Sequence, residues 1–145
     1  MEQALDDKDF TSVTNNSLHS LFSQCTVSLN GTTMTQATEL YNYRSLLETI
    51  LPYGNDAATT HFRNAMWILD DGNLVARDPT TADSTNKGFM TRWILIKTSK
   101  EIELNGRIHT DFCSVPVNLL PTVRLQIKFT KAKSNFYLTR LREGI

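Results

Sequence analysis

From Leu18 the apolar positions first recur at helical spacing and then change period. Leu18, Leu21, Phe22 and Cys25 fall at i, i+3, i+4 and i+7, one face of a helix. Cys25, Val27 and Leu29 then alternate with Thr26, Ser28 and Asn30, the pattern of a half-buried strand. Asn30-Gly31 supplies the two residues most tolerant of positive φ, which predicts a tight hairpin turn. A short helix is therefore expected to run straight into a strand and a turn. Thr14, Asn15 and Asn16 are candidate caps for that helix.

The same reading continues along the chain. Residues 1–16 are polar and expected to be loosely held, and Thr32 to Thr38 reads as a weak strand or loop. Leu40, Tyr43, Leu46, Leu47, Ile50 and Leu51 mark a helix over about 40–51, ended by Pro52 and Gly54. Asp56 is the expected N-cap of a third helix through Phe62, Ala65, Met66 and Leu69. Residues 70–88 are rich in Asp, Thr, Asn, Gly and Pro and predict a long insertion loop. Trp93 to Ile96 is too short an apolar run to separate helix from strand. Ile102, Leu104, Ile108 and Phe112 alternate with polar neighbours and predict a strand, with Gly106 at a bulge or close backbone approach. Val123, Leu125, Ile127 and Phe129 predict a second amphipathic strand, with residues 135–141 as its hairpin partner.

Composition narrows the class. A chain of 145 residues with 40% hydrophobic and 21% charged content is expected to form one globular domain. Its fifteen basic and fifteen acidic residues balance, so no global field selects a polyanion or a membrane. Local balance differs. Residues 1–12 carry four acidic groups against Lys8, whereas residues 122–145 carry six basic groups against Glu143. The acidic, polar N-terminus does not read as a secretory signal, and no run of about 18 apolar residues predicts a membrane span. Cys25 and Cys113 lie in apolar patterns and belong to no CxxC, so two buried thiols in a reducing compartment are expected; a Cys25–Cys113 disulfide or a reactive thiol is the alternative.

Reaction chemistry is sparse. His19, His61 and His109 stand at no metal-ligand spacing, and no metal or cofactor is expected. His109 and Asp111 would share a strand face as a base and its orienting carboxylate, but no nucleophile can be placed beside them. Asp70-Asp71-Gly72-Asn73 lacks the alternation and distal Glu of a calcium loop and reads as a turn. Arg124, Lys128, Lys131 and Lys133 form a basic stretch that could contact nucleic-acid phosphates, or else a solvated face that discourages edge-to-edge aggregation.

Four ordered blocks carry a resemblance. They are Asn16 to Gly31 (NSLHSLFSQCTVSLNG), Tyr41 to Leu51 (YNYRSLLETIL), Asn86-Lys87-Gly88 with Arg92, and Leu104 to Phe112 (LNGRIHTDF) followed by Val123 to Leu138. Together they are similar to segments of the capsid proteins of Polinton/Maverick elements and adintoviruses. The resemblance implies a mainly β, α+β chain with helical insertions, an incomplete antiparallel jelly-roll sandwich. It implies a polar lead over 1–15 and a partial capsid domain over 16–145, with the insertion at 70–88. Such a subunit resembles a major capsid protein. It has no active site, and assembles with itself as a homotrimer and with other capsid proteins, in a virion or inside the host cell.

The core and assembly residues of this reading are Leu18, Leu21, Phe22, Val27, Leu29, Tyr43, Leu47, Ile102, Leu104, Ile108, Phe112, Val123, Leu125 and Ile127. The family's proteins are several times longer, so strands before residue 16 and a second jelly roll after Leu141 are expected to be missing. The alternatives are a small β-rich nucleic-acid-binding module using 124–142, and a genomic relic without function.

Overall fold

A computed structural model describes residues 11–35, 38–70, 86–116, 118–119 and 121–140. Most of the expected insertion loop, residues 71–85, lies outside them, as do residues 1–10. The described elements make an α+β fold. In order they are β1 (Thr11–Val13), α1 (Ser17–Ser20), β2 (Phe22–Leu29), β3 (Thr32–Thr33), α2 (Tyr41–Ile50), α3 (Asn55–Thr59), α4 (Lys87–Ile96), α5 (Asp111–Ser114), β4 (Leu125–Lys131), α6 (Ser134–Tyr137) and β5 (Leu138–Arg140).

The expected helix-to-strand switch is present, but it comes earlier. Helix α1 is one turn long, and Phe22, read as helical, already pairs with Lys131. Strand pairing outweighs the i, i+3, i+4 pattern here because β2 gains a full ladder with β4 through Cys25–Phe129, Val27–Ile127 and Leu29–Leu125. The turn is as expected: Asn30 (φ 49°) and Gly31 (φ 85°) both take positive φ and connect β2 to β3. Asn30 also ties this turn to the start of β4, accepting at Oδ1 from the Arg124 N–H (2.9 Å) and donating its own N–H to the Arg124 carbonyl (3.0 Å).

The three-stranded sheet has the order β3-β2-β4. Its inner face packs Cys25 and Val27 against Tyr41, with Phe22, Ile108, Phe112 and Ile127 around them. A second antiparallel pair joins β1 to β5, Thr11 opposite Arg140 and Val13 opposite Leu138. This overturns two expectations. Residues 11–13 are a tied-down strand, not a loose lead. Residues 138–140 pair with β1 rather than with β4, because α6 intervenes and turns the chain away.

Other differences have equally local causes. The alternating stretch Ile102 to Phe112 is not a strand. Residues 101–109 carry no regular ladder, and Asp111–Ser114 is helical. Alternation reports one-sided burial, and Ile102, Leu104 and Ile108 are indeed half-buried. A strand also needs a partner, and here Asn105 donates only to the Asn64 carbonyl (2.9 Å). Thr110 then starts α5, its hydroxyl accepting from the Cys113 N–H (3.4 Å).

Gly106 does mark a close approach: a Cβ there would lie 2.7 Å from Leu18 Cδ2 and 3.2 Å from His19 Nε2. The third helix is broken into α3 and a 3₁₀ turn over His61–Ala65, and Gly54, not Asp56, is its N-cap. Residues 89–96, ambiguous from sequence, are helical, and the helix also takes in Lys87 and Gly88, read as the end of the insertion loop. Of the residues read as core and assembly positions, Tyr43, Leu47 and Leu125 are exposed and lie outside the core; Cys113, read as buried, is exposed as well. Both cysteines are free thiols.

Candidate functional site

Helix α2 has its polar face inward. Tyr41, Asn42, Ser45 and Thr49 are buried, while Tyr43, Leu46, Leu47, Ile50 and Leu51 face solvent. A buried polar face must be hydrogen-bonded throughout to be tolerated, and this one is. The Ser45 hydroxyl donates to the Asn42 carbonyl (2.7 Å) and accepts from Asn16 Nδ2 (3.2 Å). Thr49 Oγ1 donates to the Ser45 carbonyl (2.7 Å). Asn16 can reach Ser45 because it takes the left-handed conformation (φ 56°) at the start of α1, a conformation Asn tolerates better than most residues.

Beside this face runs a network that joins three segments far apart in the chain. His19 Nδ1 lies 3.1 Å from Tyr41 Oη. The His19 and His109 rings meet edge to face at 4.6 Å. His109 Nδ1 donates to Glu48 Oε2 (2.8 Å). Arg44 then bridges two carboxylates, donating from Nε to Glu48 (2.7 Å) and through both terminal nitrogens to Asp111 (3.0 and 2.6 Å). The His109–Asp111 pairing that a shared strand face would have allowed therefore does not form. Each has instead found a partner on α2, because α5 begins at Asp111 and turns its carboxylate toward Arg44.

The titration behaviour follows from these contacts. Burial, reinforced by the neighbouring His109 ring, pulls His19 down to about 4. Burial would raise the Glu48 carboxyl, but hydrogen bonds from His109 and Arg44 outweigh it and lower it. The Arg44 fork lowers Asp111, and chiefly through Asp111 the Arg44 guanidinium is raised. Burial raises Cys25 to about 11 and Tyr41 to about 12. These shifts keep His19 and Tyr41 neutral beside the ionised chain of Glu48, Arg44 and Asp111, the state of a structural clamp.

His19, Glu48, His61 and His109 also border a cleft of about 420 Å³ between the end of α2, the 3₁₀ turn and residues 106–109. The Ser114 hydroxyl on the cleft wall is committed: it donates to the Thr110 carbonyl (3.0 Å) and accepts from Arg107 (2.8 Å). Among the described residues no group of three or more His, Cys, Asp or Glu is placed to hold a metal ion.

A second built feature surrounds Arg92, whose role the sequence did not disclose. Its guanidinium is 2% exposed. It donates to the carbonyls of Val13 (2.9 Å) and Ile68, and to Asp70 (2.7 Å). Asn86 caps the same helix, accepting from the Phe89 N–H (2.9 Å). Gly88 is required by contact, since a Cβ would stand 2.1 Å from the Leu69 carbonyl oxygen.

The basic residues of β4 are exposed, but they are not equivalent. Arg124 precedes the strand, Lys128 lies within it, Lys131 Nζ lies over the Tyr137 ring at 5.5 Å, and Lys133 follows the strand. Of the apolar residues read as core, Val27 is fully buried. Leu18, Leu21, Phe22, Leu29, Phe112, Val123 and Ile127 are half-buried. Among the described residues no helix is long and apolar enough to cross a membrane. Comparison with protein-family models, curated proteins and solved structures finds no match.

Proposed function

We propose that this protein is a structural subunit that works by self-assembly, resembling the major capsid protein of Polinton/Maverick-type elements and working without an active site. The observation that carries this reading is the inverted amphipathicity of α2. A helix that hydrogen-bonds its polar side into the body and leaves Leu47 55% and Leu51 78% exposed holds apolar surface for something else to cover. Strand β4 makes a similar offer, because among the described residues it is an edge of its sheet and no strand pairs with its outer side. In a jelly-roll reading, β2 and β4 are adjacent strands of a sandwich whose remaining strands extend that edge.

The contacts between the resembling blocks also support the reading. Arg44 and Glu48 of the tyrosine-rich helix hold Asp111 and His109 of the LNGRIHTDF block, and His19 of the first block packs on His109. Residues that look unrelated along the chain thus depend on one another in space.

The test is light scattering coupled to size exclusion across a concentration series, with electron microscopy of the heaviest fractions. Concentration-dependent oligomers support assembly. A monomer at every concentration removes the reading. A monomer that binds DNA with strong salt dependence favours the second reading, a nucleic-acid-binding module built on the exposed Arg124 and Lys128.

A further inference from the structure

Residues 101–109 lie against the inner face of the sheet without joining it. Ile108, with Phe112 just after it, packs on the Cys25, Val27 and Tyr41 cluster, and Gly106 presses close to Leu18 and His19. The seat is loose: clefts of about 230, 360 and 420 Å³ border the stretch from Leu104 to Phe112. Among the described residues no ladder ties it down, and its backbone bond to the body runs from the Asn105 N–H to the Asn64 carbonyl. A segment with few backbone bonds opens locally at lower cost than the whole fold.

What fastens this stretch is a side-chain contact at its end. His19 and His109 are both buried, and their rings meet edge to face. Each Nδ1 is engaged, His19 with Tyr41 and His109 with Glu48. We propose that residues 101–109 are a strap over the inner sheet face, and that acid releases it by protonating the buried His19 beside His109. The device works within a single chain and does not depend on assembly.

The surroundings do not absorb the added charge. On α2, Tyr41 is neutral, and the Glu48 carboxylate is already shared by His109 and Arg44. Asp111 of α5 is held by the same Arg44. Arg107 of the strap adds positive charge to the cleft that His19 lines, and His61 of the 3₁₀ turn adds a third imidazole. Strand β2 contributes the Cys25 thiol, which burial keeps neutral. Once open, His19 returns to the ordinary imidazole value near 6.5, against about 4 when closed, so the open form binds the extra proton. The closed strap is therefore favoured above pH 6.5, and opening grows as pH falls toward 4. Between pH 7.5 and 5 the open fraction rises about 30-fold. The released strap bares the Cys25, Val27 and Tyr41 cluster.

The experiment uses the full chain with Cys113→Ser, which leaves Cys25 as the remaining thiol. A pyridyl disulfide, which reacts with thiols in acid as well, labels Cys25. The rate is divided by that of the urea-unfolded chain at the same pH, so the ratio reads opening. Amide exchange over β2 and β4 reads the sheet. The ratio should rise about 30-fold from pH 7.5 to 5 while the sheet amides stay protected. His19→Gln should hold that rise under about threefold, and His61→Gln should leave it whole. The slope with pH is the readout, so a looser His19→Gln chain still answers, and the Cys113→Ser profile carries the test even where His19→Gln fails to fold. A ratio independent of pH overturns the proposal, as does a full rise in His19→Gln. Sheet amides that lose protection in step with Cys25 mean global unfolding and overturn the strap.

Discussion

Helices α2 and α4 are each ten residues long and read as apolar in sequence, yet they are mounted in opposite senses. Helix α4 packs on β1 and buries Phe89, Trp93 and Gly88 together with Arg92. Helix α2 buries Asn42, Ser45 and Thr49 and shows its leucines to solvent. The contrast separates two duties. Helix α4 holds the chain together through Phe89, Trp93 and the buried Arg92, with Ile94 and Leu95 left exposed. Helix α2 is held in place by hydrogen bonds on its polar side, and most of its apolar side chains stay exposed. Periodicity identifies a face on each helix but does not say which way the face points.

Breaking the inward anchor of α4 has the largest expected effect. Arg92→Met leaves two backbone carbonyls and Asp70 without their buried donor, and chemical denaturation should show a loss of about 3–5 kcal/mol. A loss below 1 kcal/mol would mean that Arg92 does not anchor α4.

The polar mounting of α2 is best probed by pH. His19 is neutral in the fold with its pKa near 4, against about 6.5 in an unfolded chain, so the unfolded state binds the extra proton. Stability is therefore fully present above pH 6.5 and declines as pH falls toward 4, by about 3 kcal/mol in all. Below that range Glu48 and Asp111, held under their ordinary values, add further loss. His19→Gln should flatten the curve between pH 6.5 and 4 while keeping the lower limb; an unchanged curve would place the acid sensitivity elsewhere.

A smaller effect is expected at the start of α4. Gly88→Ala drives a methyl into the Leu69 carbonyl and should cost about 1–3 kcal/mol. The smallest concerns the outer face of α2. Leu47→Glu should change folding stability by less than about 0.5 kcal/mol, because Leu47 is exposed. A large folding loss there would show that α2 buries its leucines in the monomer and would erase the contrast with α4.

Legibility from sequence varied with the range of the interaction involved. The Asn30-Gly31 turn, the bounds of α2 and the strand at Val27 follow from neighbours within a few residues, and all were readable. The tight approach at Gly106 was anticipated as one of two options. The alternation over Ile102–Phe112 does not make a strand, because among the described residues no ladder partner stands beside it. The Arg44–Asp111 and His109–Glu48 contacts carried no usable signal. They span 67 and 61 residues, and an Arg and a Glu four apart on a helix look like an ordinary surface pair. Asn86, Gly88 and Arg92 could be noticed as a group, but a buried arginine clasping backbone carbonyls has no pattern of its own.

Sequence alone determined the local conformations: where φ turns positive, where a helix stops at proline, and which residues share a face. Only the tertiary structure decided which face is inside. That choice depends on the sum of hydrogen bonds and burial over segments that meet from across the chain. For α2 the sum favours Asn16, His19 and His109 bonding its polar side, which turns Tyr43, Leu46, Leu47 and Ile50 outward.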